Sequence, residues 1–440
     1  MRSLIALACA LLVASPAFAA SARSYRQAAL GAAEWLEWSA IKTPQGEVWA
    51  ADPRQPQSVN STLYAGTPGP VLFFLEAYRY TREARYLEQA RLGADALVAA
   101  LDNEKDTGLY EGLAGIGFTL GEAWIVTGDQ KYRTAALHVV ELLQKRAHKV
   151  GAGVEWNDTT DVIAGASGTG LFLLWADRGL HAPGARDLAV EAGRRLIERG
   201  EKVAPGELKW MMDSKYPREM PNFSHGTAGV AYFLASLYMT TREPDFLDAA
   251  LAGGRYLLSI ADKQGDACII YHDDTFDGKK LYYLGWCHGP AGTARLFYRL
   301  YEATRDPEWL AWVRKSARAA IRRGAPAKAV SPGEWNNVSV CCGTTAEAQF
   351  LFDVYQLTHD REYLWLARQA SDRLLAAATH GIGGTSWVQA ENRVKPGEMA
   401  AQTGYMQGAA GIGMWLLHLD SALHGERKSV ITLPDNPFTY

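Results

Sequence analysis

Three cysteines stand at positions that could do chemistry together. Cys287 lies in Gly285-Trp286-Cys287-His288-Gly289, and the other two lie in Val340-Cys341-Cys342-Gly343. Each group runs directly into a glycine that opens an apolar, helix-like segment. Three thiolates converging on one point form a soft tripod, and zinc is the metal that fits it best. A tripod leaves one of zinc's four positions open, which marks a catalytic rather than a structural site.

The compartment bears on these thiols. Arg2, the apolar run Leu4 to Ala14 and the small-x-small pattern Ala17-Phe18-Ala19 read as a signal peptide over residues 1–19, cut after Ala19. An uncleaved anchor is the alternative. The short, alanine-rich leader points to a bacterial protein exported to the periplasm or beyond, with no membrane span in its mature form. Cys9 leaves with the leader, so the mature chain keeps Cys268, Cys287, Cys341 and Cys342. In an oxidising compartment four cysteines could instead form two disulfides, or one disulfide and two free thiols. Cys341 and Cys342 are a poor pair for each other, because a bond between adjacent cysteines closes a strained ring. Cys268, in Ala267-Cys268-Ile269-Ile270, reads as buried core.

The scaffold that must gather the cysteines is a repeat. Gly66, Gly112, Gly226, Gly289 and Gly343 each begin an apolar run, and each is followed 15 residues later by a threonine, Thr81, Thr127, Thr241, Thr304 or Thr358. An acidic residue comes two positions after each threonine, and an amphipathic segment follows. Looser copies open at Gly165 and Gly408, making seven copies about 45 to 65 residues apart. Each copy reads as a helical hairpin. The first helix is apolar nearly all round and therefore buried. The threonine segment is a turn whose acid occupies the N-cap, and the second helix is amphipathic. The expected fold is all-α, an α/α toroid of about seven hairpins forming one domain over residues 20–440. An open solenoid is the alternative, but Gly408 to Leu417 is as apolar as the middle copies and carries no polar cap, which favours closure. The longer connections near residues 200–221, 262–284 and 380–402 are expected to cover one rim, and residues after Leu423 read as a tail.

Equivalent copies place equivalent residues on one rim. The residue just before each glycine is Ala65, Glu111, Ala164, His225, His288, Cys342 or Gln407, and two before it stands Tyr64, Tyr110, Ile163, Ser224, Cys287, Cys341 or Met406. Closing the ring carries these to the mouth of a central cavity and sets Cys287 beside Cys341 and Cys342. His225 falls in the adjoining copy, and Asp161 can reach the same rim. Each also has a plainer role: His225 bonded to a carbonyl at a helix start, Asp161 and Glu111 as caps, Trp286 as a packed wall. The net charge of -3 with no basic run gives no footprint for nucleic acid.

At these residues the chain resembles the lanthionine synthetase C-like family across essentially its whole mature length. The resemblance rests on the seven glycine-led hairpins (most of them Gly-x-x-Gly), Ser224-His225-Gly226-x-x-Gly229, Trp286-Cys287-x-Gly289 and Cys341-Cys342-Gly343. It implies an α/α toroid with one Zn2+ at its mouth and a Michael-type addition of a thiol to dehydroalanine or dehydrobutyrine, forming a thioether. Carried over, Cys287 and Cys341 match metal ligands, and Cys342 falls where most members have histidine and some have a third cysteine. His225 and Asp161 match the residues proposed to handle protons. Trp286, His288 and Glu111 would line the substrate site. His288 sits where bacterial cyclases often have tyrosine, and the stretch Leu281 to Gly285 lacks the arginine expected before Trp286.

The implied partners are a dehydrated peptide and a thiol, either the peptide's own cysteine or a small one such as glutathione. Lanthipeptide rings are normally closed before export, so an exported member would repair or modify dehydrated residues outside the cytoplasm. Two other functions compete. One is a zinc-containing peptide-binding protein without turnover, for which Cys268 or His288 would be a fourth ligand. The other is a carbohydrate-active toroid using carboxylates such as Asp161, Glu111 and Asp273.

Overall fold

The computed structural model describes residues 16–215, 220–272, 280–326, 334–391, 393–425 and 430–438. The leader expected over residues 1–19 lies largely outside the described residues, as does Asp273. Seven inner helices are largely buried through their first two turns, although α10 departs from the expected all-round apolar character in carrying Arg295, Arg299 and Glu302: α2 (Pro68–Thr81), α4 (Leu113–Thr127), α6 (Ala166–Leu180), α8 (Thr227–Thr241), α10 (Pro290–Thr304), α12 (Thr344–Thr358) and α14 (Ala409–Leu423). Each packs on the next, and α14 packs back on α2, so the ring closes. Six outer helices follow their inner partners: α3 (Ala84–Ala100), α5 (Gln130–Arg146), α7 (Ala185–Arg199), α9 (Pro244–Ile260), α11 (Pro307–Arg322) and α13 (Arg361–Ala376). The outer partner of α14 comes from the other end of the chain. It is α1 (Pro16–Ser39), whose buried residues Tyr25, Ala28, Ala29, Ala32, Ala33 and Leu36 recur at helical spacing. The toroid thus has seven hairpins, and the seventh joins the two chain ends.

The spacing of 15 has a local cause. Each turn threonine donates its hydroxyl to the carbonyl four residues back and accepts the N–H of the acidic residue two positions on, as Thr304 does with Leu300 and Asp306. That acid is the N-cap of the outer helix in every copy that has one. Asp129, Asp306 and Asp360 each accept an N–H of the first turn, while Glu83 and Glu243 make no cap bond, their side chains being one methylene longer. Glycine recurs at the start of the inner helices because backbones pass there in contact. A Cβ on Gly292 would lie 1.9 Å from the Trp286 carbonyl oxygen.

The connections after the outer helices contain short strand pairs. Antiparallel two-stranded pieces at 41–48, 148–155, 201–209, 262–269 and 379–386 each follow an outer helix. In four of the five, a tryptophan just beyond the hairpin turns back on the helix. The indole N–H of Trp49, Trp156, Trp210 and Trp387 donates to the carbonyl of Leu36, Leu143, Leu196 and Leu374 at 2.6–2.8 Å. Those carbonyls lie in the last turn of their helices, where no intrahelical donor remains, so the indoles act as C-terminal caps. Among the described residues, no helix is long and apolar enough to cross a membrane.

Candidate metal centre

The rim expected from the repeat register exists as a closed ring of backbone hydrogen bonds. Ser224 N donates to Cys287 O, Cys287 N to Cys341 O, Cys341 N to Met406 O, Met406 N to Tyr64 O, Tyr64 N to Tyr110 O and Tyr110 N to Ile163 O, all at 2.9 Å. Val162 N completes the circle on Ser224 O at 3.2 Å, one residue out of register. These are the residues two before each glycine. Cys287 and Cys341 are therefore locked side by side by main-chain bonds, whatever their side chains do.

The three thiols converge. Sγ of Cys287 lies 3.2 Å from Sγ of Cys342, which lies 3.3 Å from Sγ of Cys341, and all three are buried. The four cysteines among the described residues are free, which removes the disulfide alternative in this structure. Among the described residues no fourth histidine, cysteine, aspartate or glutamate joins the group within 4.8 Å. Cys268 is instead buried in the main apolar core outside the thiol group, where burial pushes its thiol up to about 11. The donors fit a soft divalent ion with one position open. Within the thiol group, hydrogen bonds from Cys287 and then Cys341 hold the Cys342 thiol well below its ordinary range, and burial pushes Cys287 well above it. Three thiols crowded out of water thus favour one thiolate, and a cation would be needed to ionise them all.

Outer contacts orient the sulfurs. The Tyr64 hydroxyl donates to Cys341 Sγ at 3.3 Å, and Gln407 Nε2 donates to the Tyr64 oxygen at 2.8 Å. Burial first, then Cys341, keeps the phenol well above its ordinary pKa, so it stays a donor. The Cys342 N–H is taken by Ser339 Oγ at 3.1 Å. Tyr64 and Gln407 both stand in the rim register, and their position in it is the sequence signal for this support.

The sulfurs face a cavity of about 290 Å3 lined by Tyr64, Glu111, Ile163, Ser224, His225, Tyr283, His288 and Glu391. His225 Nδ1 lies 2.6 Å from Asp161 Oδ2. Asp161 also accepts the N–H groups of Ala164 and Gly165 at 2.8 and 2.9 Å, so it is both the helix-start cap and the partner of His225. Burial lowers the His225 pKa, but the hydrogen bond and charge of Asp161 outweigh it and the net shift is upward. His288 behaves oppositely. Burial and then the neighbouring His272 and His225 rings push it well below its usual value, and its buried Nδ1 lacks a hydrogen-bond partner. Ser224 Oγ is likewise buried and unpartnered. Such groups beside a cavity suit a ligand that would satisfy them. Glu111 is exposed to the cavity, and burial followed by Asp161 raises its carboxyl.

Trp286, expected among the lining residues, is placed elsewhere. It is 1% exposed and packs beneath the rim against Tyr110 and Phe223, with ring centroids at 5.0 and 5.7 Å. Trp286 points into the barrel, while Cys287 and His288, which follow it, border the cavity.

A family model described as "Lanthionine synthetase C-like protein" matches residues 57–428. Among solved structures, the chain is similar to nisin cyclase, at 16% identity and a TM-score of 0.60, over 83% of this chain and 89% of that one. It is also similar to cellobiose 2-epimerase from Spirochaeta thermophila (14% identity, TM-score 0.48, 94% and 99% covered) and to an α-1,6-mannanase of Salegentibacter (13%, 0.48, 91% and 99%). At 16% identity the likeness to nisin cyclase is one of fold.

Proposed function

The chain belongs to the lanthionine synthetase C-like family, and from that premise we propose that it binds Zn2+ through Cys287, Cys341 and Cys342 and adds a thiol to a dehydroalanine or dehydrobutyrine residue of a peptide. The observation that carries this reading is the open donor set. Three sulfurs meet at one wall of a cavity that also holds a His–Asp pair, and no fourth protein ligand joins them among the described residues. An ion held there would act as a Lewis acid and lower the pKa of an arriving thiol into the neutral range.

The protein's own groups do the remaining work. In the addition, the thiol sulfur bonds to the β-carbon, the carbon–carbon π pair moves to the α-carbon, and that carbon takes a proton; no net oxidation occurs. Asp161 holds the Nδ1–H of His225 and leaves Nε2 as the nitrogen for proton exchange, with the raised pKa favouring a protonated ring. His288, kept neutral, and Ser224 offer polar contacts to the substrate amide without placing a second cation beside the sulfurs. Glu111, which lines the same cavity, would take the proton that the thiol gives up.

A binding protein without turnover would need the fourth position closed, and neither Cys268 nor His288 joins the sulfurs. For a glycosidase, which needs two carboxyl groups across a bond, Asp161 does not serve, because one of its oxygens is committed to two backbone amides and the other to His225. The test is an addition assay. Purified protein is incubated with a dehydroalanine-containing peptide carrying a cysteine, or with glutathione added, and the thioether is detected by mass spectrometry. Product above the uncatalysed rate, abolished by a chelator and restored by zinc, supports the reading; product formation indifferent to His225→Ala and to the chelator refutes it.

Export remains part of this proposal. Cleavage after Ala19 would leave the buried face of α1 from Tyr25 onward intact, so the mature chain would retain the helix that completes the seventh hairpin.

A further inference from the structure

The segment after α14 enters the toroid. Residues 430–438 run beneath the rim, where Ile431, Leu433, Asp435 and Pro437 are buried and the residues between them are partly exposed. The segment is not a strand, since a turn closed by Asn436 N–H on the Leu433 carbonyl at 3.0 Å lies in its middle, and its buried residues, with Phe438, face the core. The segment touches inner helices on several sides of the ring. The Ile431 N–H donates to Glu76 of α2 at 2.9 Å, and Phe438 stacks on Tyr298 of α10 with centroids 4.7 Å apart. Pro434 borders a cleft with Leu171 of α6, Met239 of α8 and Arg299 of α10.

Asp435 breaks the apolar alternation, and its side chain is fully buried. A lone carboxylate at such a position is costly, and this one is matched. Arg295 of α10 donates to it at 2.7 Å and to its carbonyl at 3.2 Å. The indole N–H of Trp286 donates to the same carboxylate oxygen at 3.0 Å. Trp286 directly precedes Cys287, so the carboxylate grips the residue next to a sulfur of the tripod.

We infer that residues 430–438 form a plug in the toroid and that Asp435 is a positioning residue, fixing Cys287 through the indole of Trp286. This rests on the reading of Cys287 as a metal ligand, although the positioning itself can be measured without metal. Within the segment it is Asp435 that reaches the residue beside the site. Two main-chain bonds fix the Cys287 backbone from the neighbouring rim residues, and the Trp286–Asp435 bond fixes it from below.

Three variants of the full-length protein test this. Trp286→Phe keeps an aromatic ring and the Arg295–Asp435 pair but removes the N–H. Asp435→Asn keeps the shape and removes the charge. Phe438→Ala loosens the plug at its far end without touching Trp286. The readouts are the alkylation rate of Cys287 in metal-stripped protein, followed peptide by peptide by mass spectrometry, and zinc affinity by competition with a chromophoric chelator. Trp286→Phe and Asp435→Asn should each speed Cys287 alkylation and weaken zinc binding by about tenfold. Phe438→Ala should lower the melting temperature and leave both readouts unchanged. The inference is overturned if Trp286→Phe and Asp435→Asn leave Cys287 alkylation at the wild-type rate, or if Phe438→Ala matches them. If wild-type protein takes up no zinc, the metal reading of the site fails, and the alkylation rates alone decide the positioning claim.

Discussion

Asp161 divides its two carboxylate oxygens between structure and chemistry. Oδ1 accepts the N–H groups of Ala164 and Gly165, and Oδ2 accepts from Nδ1 of His225, 64 residues away, at 2.6 Å. The His225 side chain is 31% exposed, while Asp161 is almost wholly buried. The carboxylate is thus rigid, and the histidine is held by a fixed anchor on one nitrogen with its ring open to the cavity.

Removing that anchor should act on rate and on pH dependence together. In Asp161→Asn the amide can donate to Nδ1, which turns the tautomer around and removes the charge that raises the His225 pKa. We expect turnover to fall by about 100-fold, within the range for a positioned acid–base group, with metal content unchanged. Because the folded pKa of His225 is raised, the pair contributes stability that is full below about pH 6.5 and lost as pH rises through the folded value. The variant should lose this extra acid-side stability, seen as a flatter dependence of melting temperature on pH.

Cys342 separates ligand chemistry from packing. Cys342→Ala should lose zinc by more than about 100-fold in affinity, exceeding what loss of an outer partner costs. Cys342→His should retain zinc, since an imidazole can take the same corner of the tetrahedron. Competition with a chelator measures both, and full zinc retention in Cys342→Ala would show that the ligand set is wrong.

The close approach of the two cysteine loops depends on Gly285. A Cβ there would lie 2.4 Å from the Cys342 carbonyl carbon and 2.6 Å from its Cα, backbone atoms that cannot swing away. Gly285→Ala should cost about 1–3 kcal/mol of stability, the usual range for overpacking. It should also displace the Cys342 sulfur, read as a drop in zinc affinity beyond that of an equally destabilised outer-ring variant.

Trp156→Phe is such an outer-ring variant. It removes the indole N–H from the Leu143 carbonyl in the last turn of α5. Stranding a buried acceptor costs about 1–3 kcal/mol. Thermal unfolding should show that loss, while zinc content and addition activity stay at the wild-type level.

The repeat made the ring and its order legible because hydroxyl turns and close-packed glycines fix residue types at fixed intervals. Thr304 and Gly292 are where they are for bonding and steric reasons that recur in other copies. The same register brought Cys287, Cys341, Cys342 and His225 to one rim before any coordinates. Other parts were hidden for equally physical reasons. α1 pairs with α14 across the chain ends, and no threonine turn joins them, so the seventh hairpin carries no local signature. The direction of Trp286 depends on Asp435, which is 149 residues away and sits in a segment that reads as a tail. The tryptophan caps do leave a trace, a leucine 13 or 14 residues before each tryptophan. That spacing gains meaning once the hairpin between them is seen.

The most direct test of the central claim is the metal content of the purified mature protein, measured by elemental analysis together with cysteine alkylation before and after chelation. The account predicts one zinc per chain, with Cys287, Cys341 and Cys342 protected until the chelator is added and Cys268 indifferent to it. Protein that purifies without zinc and takes none up on reconstitution, with the three thiols alkylating alike in either state, would contradict it.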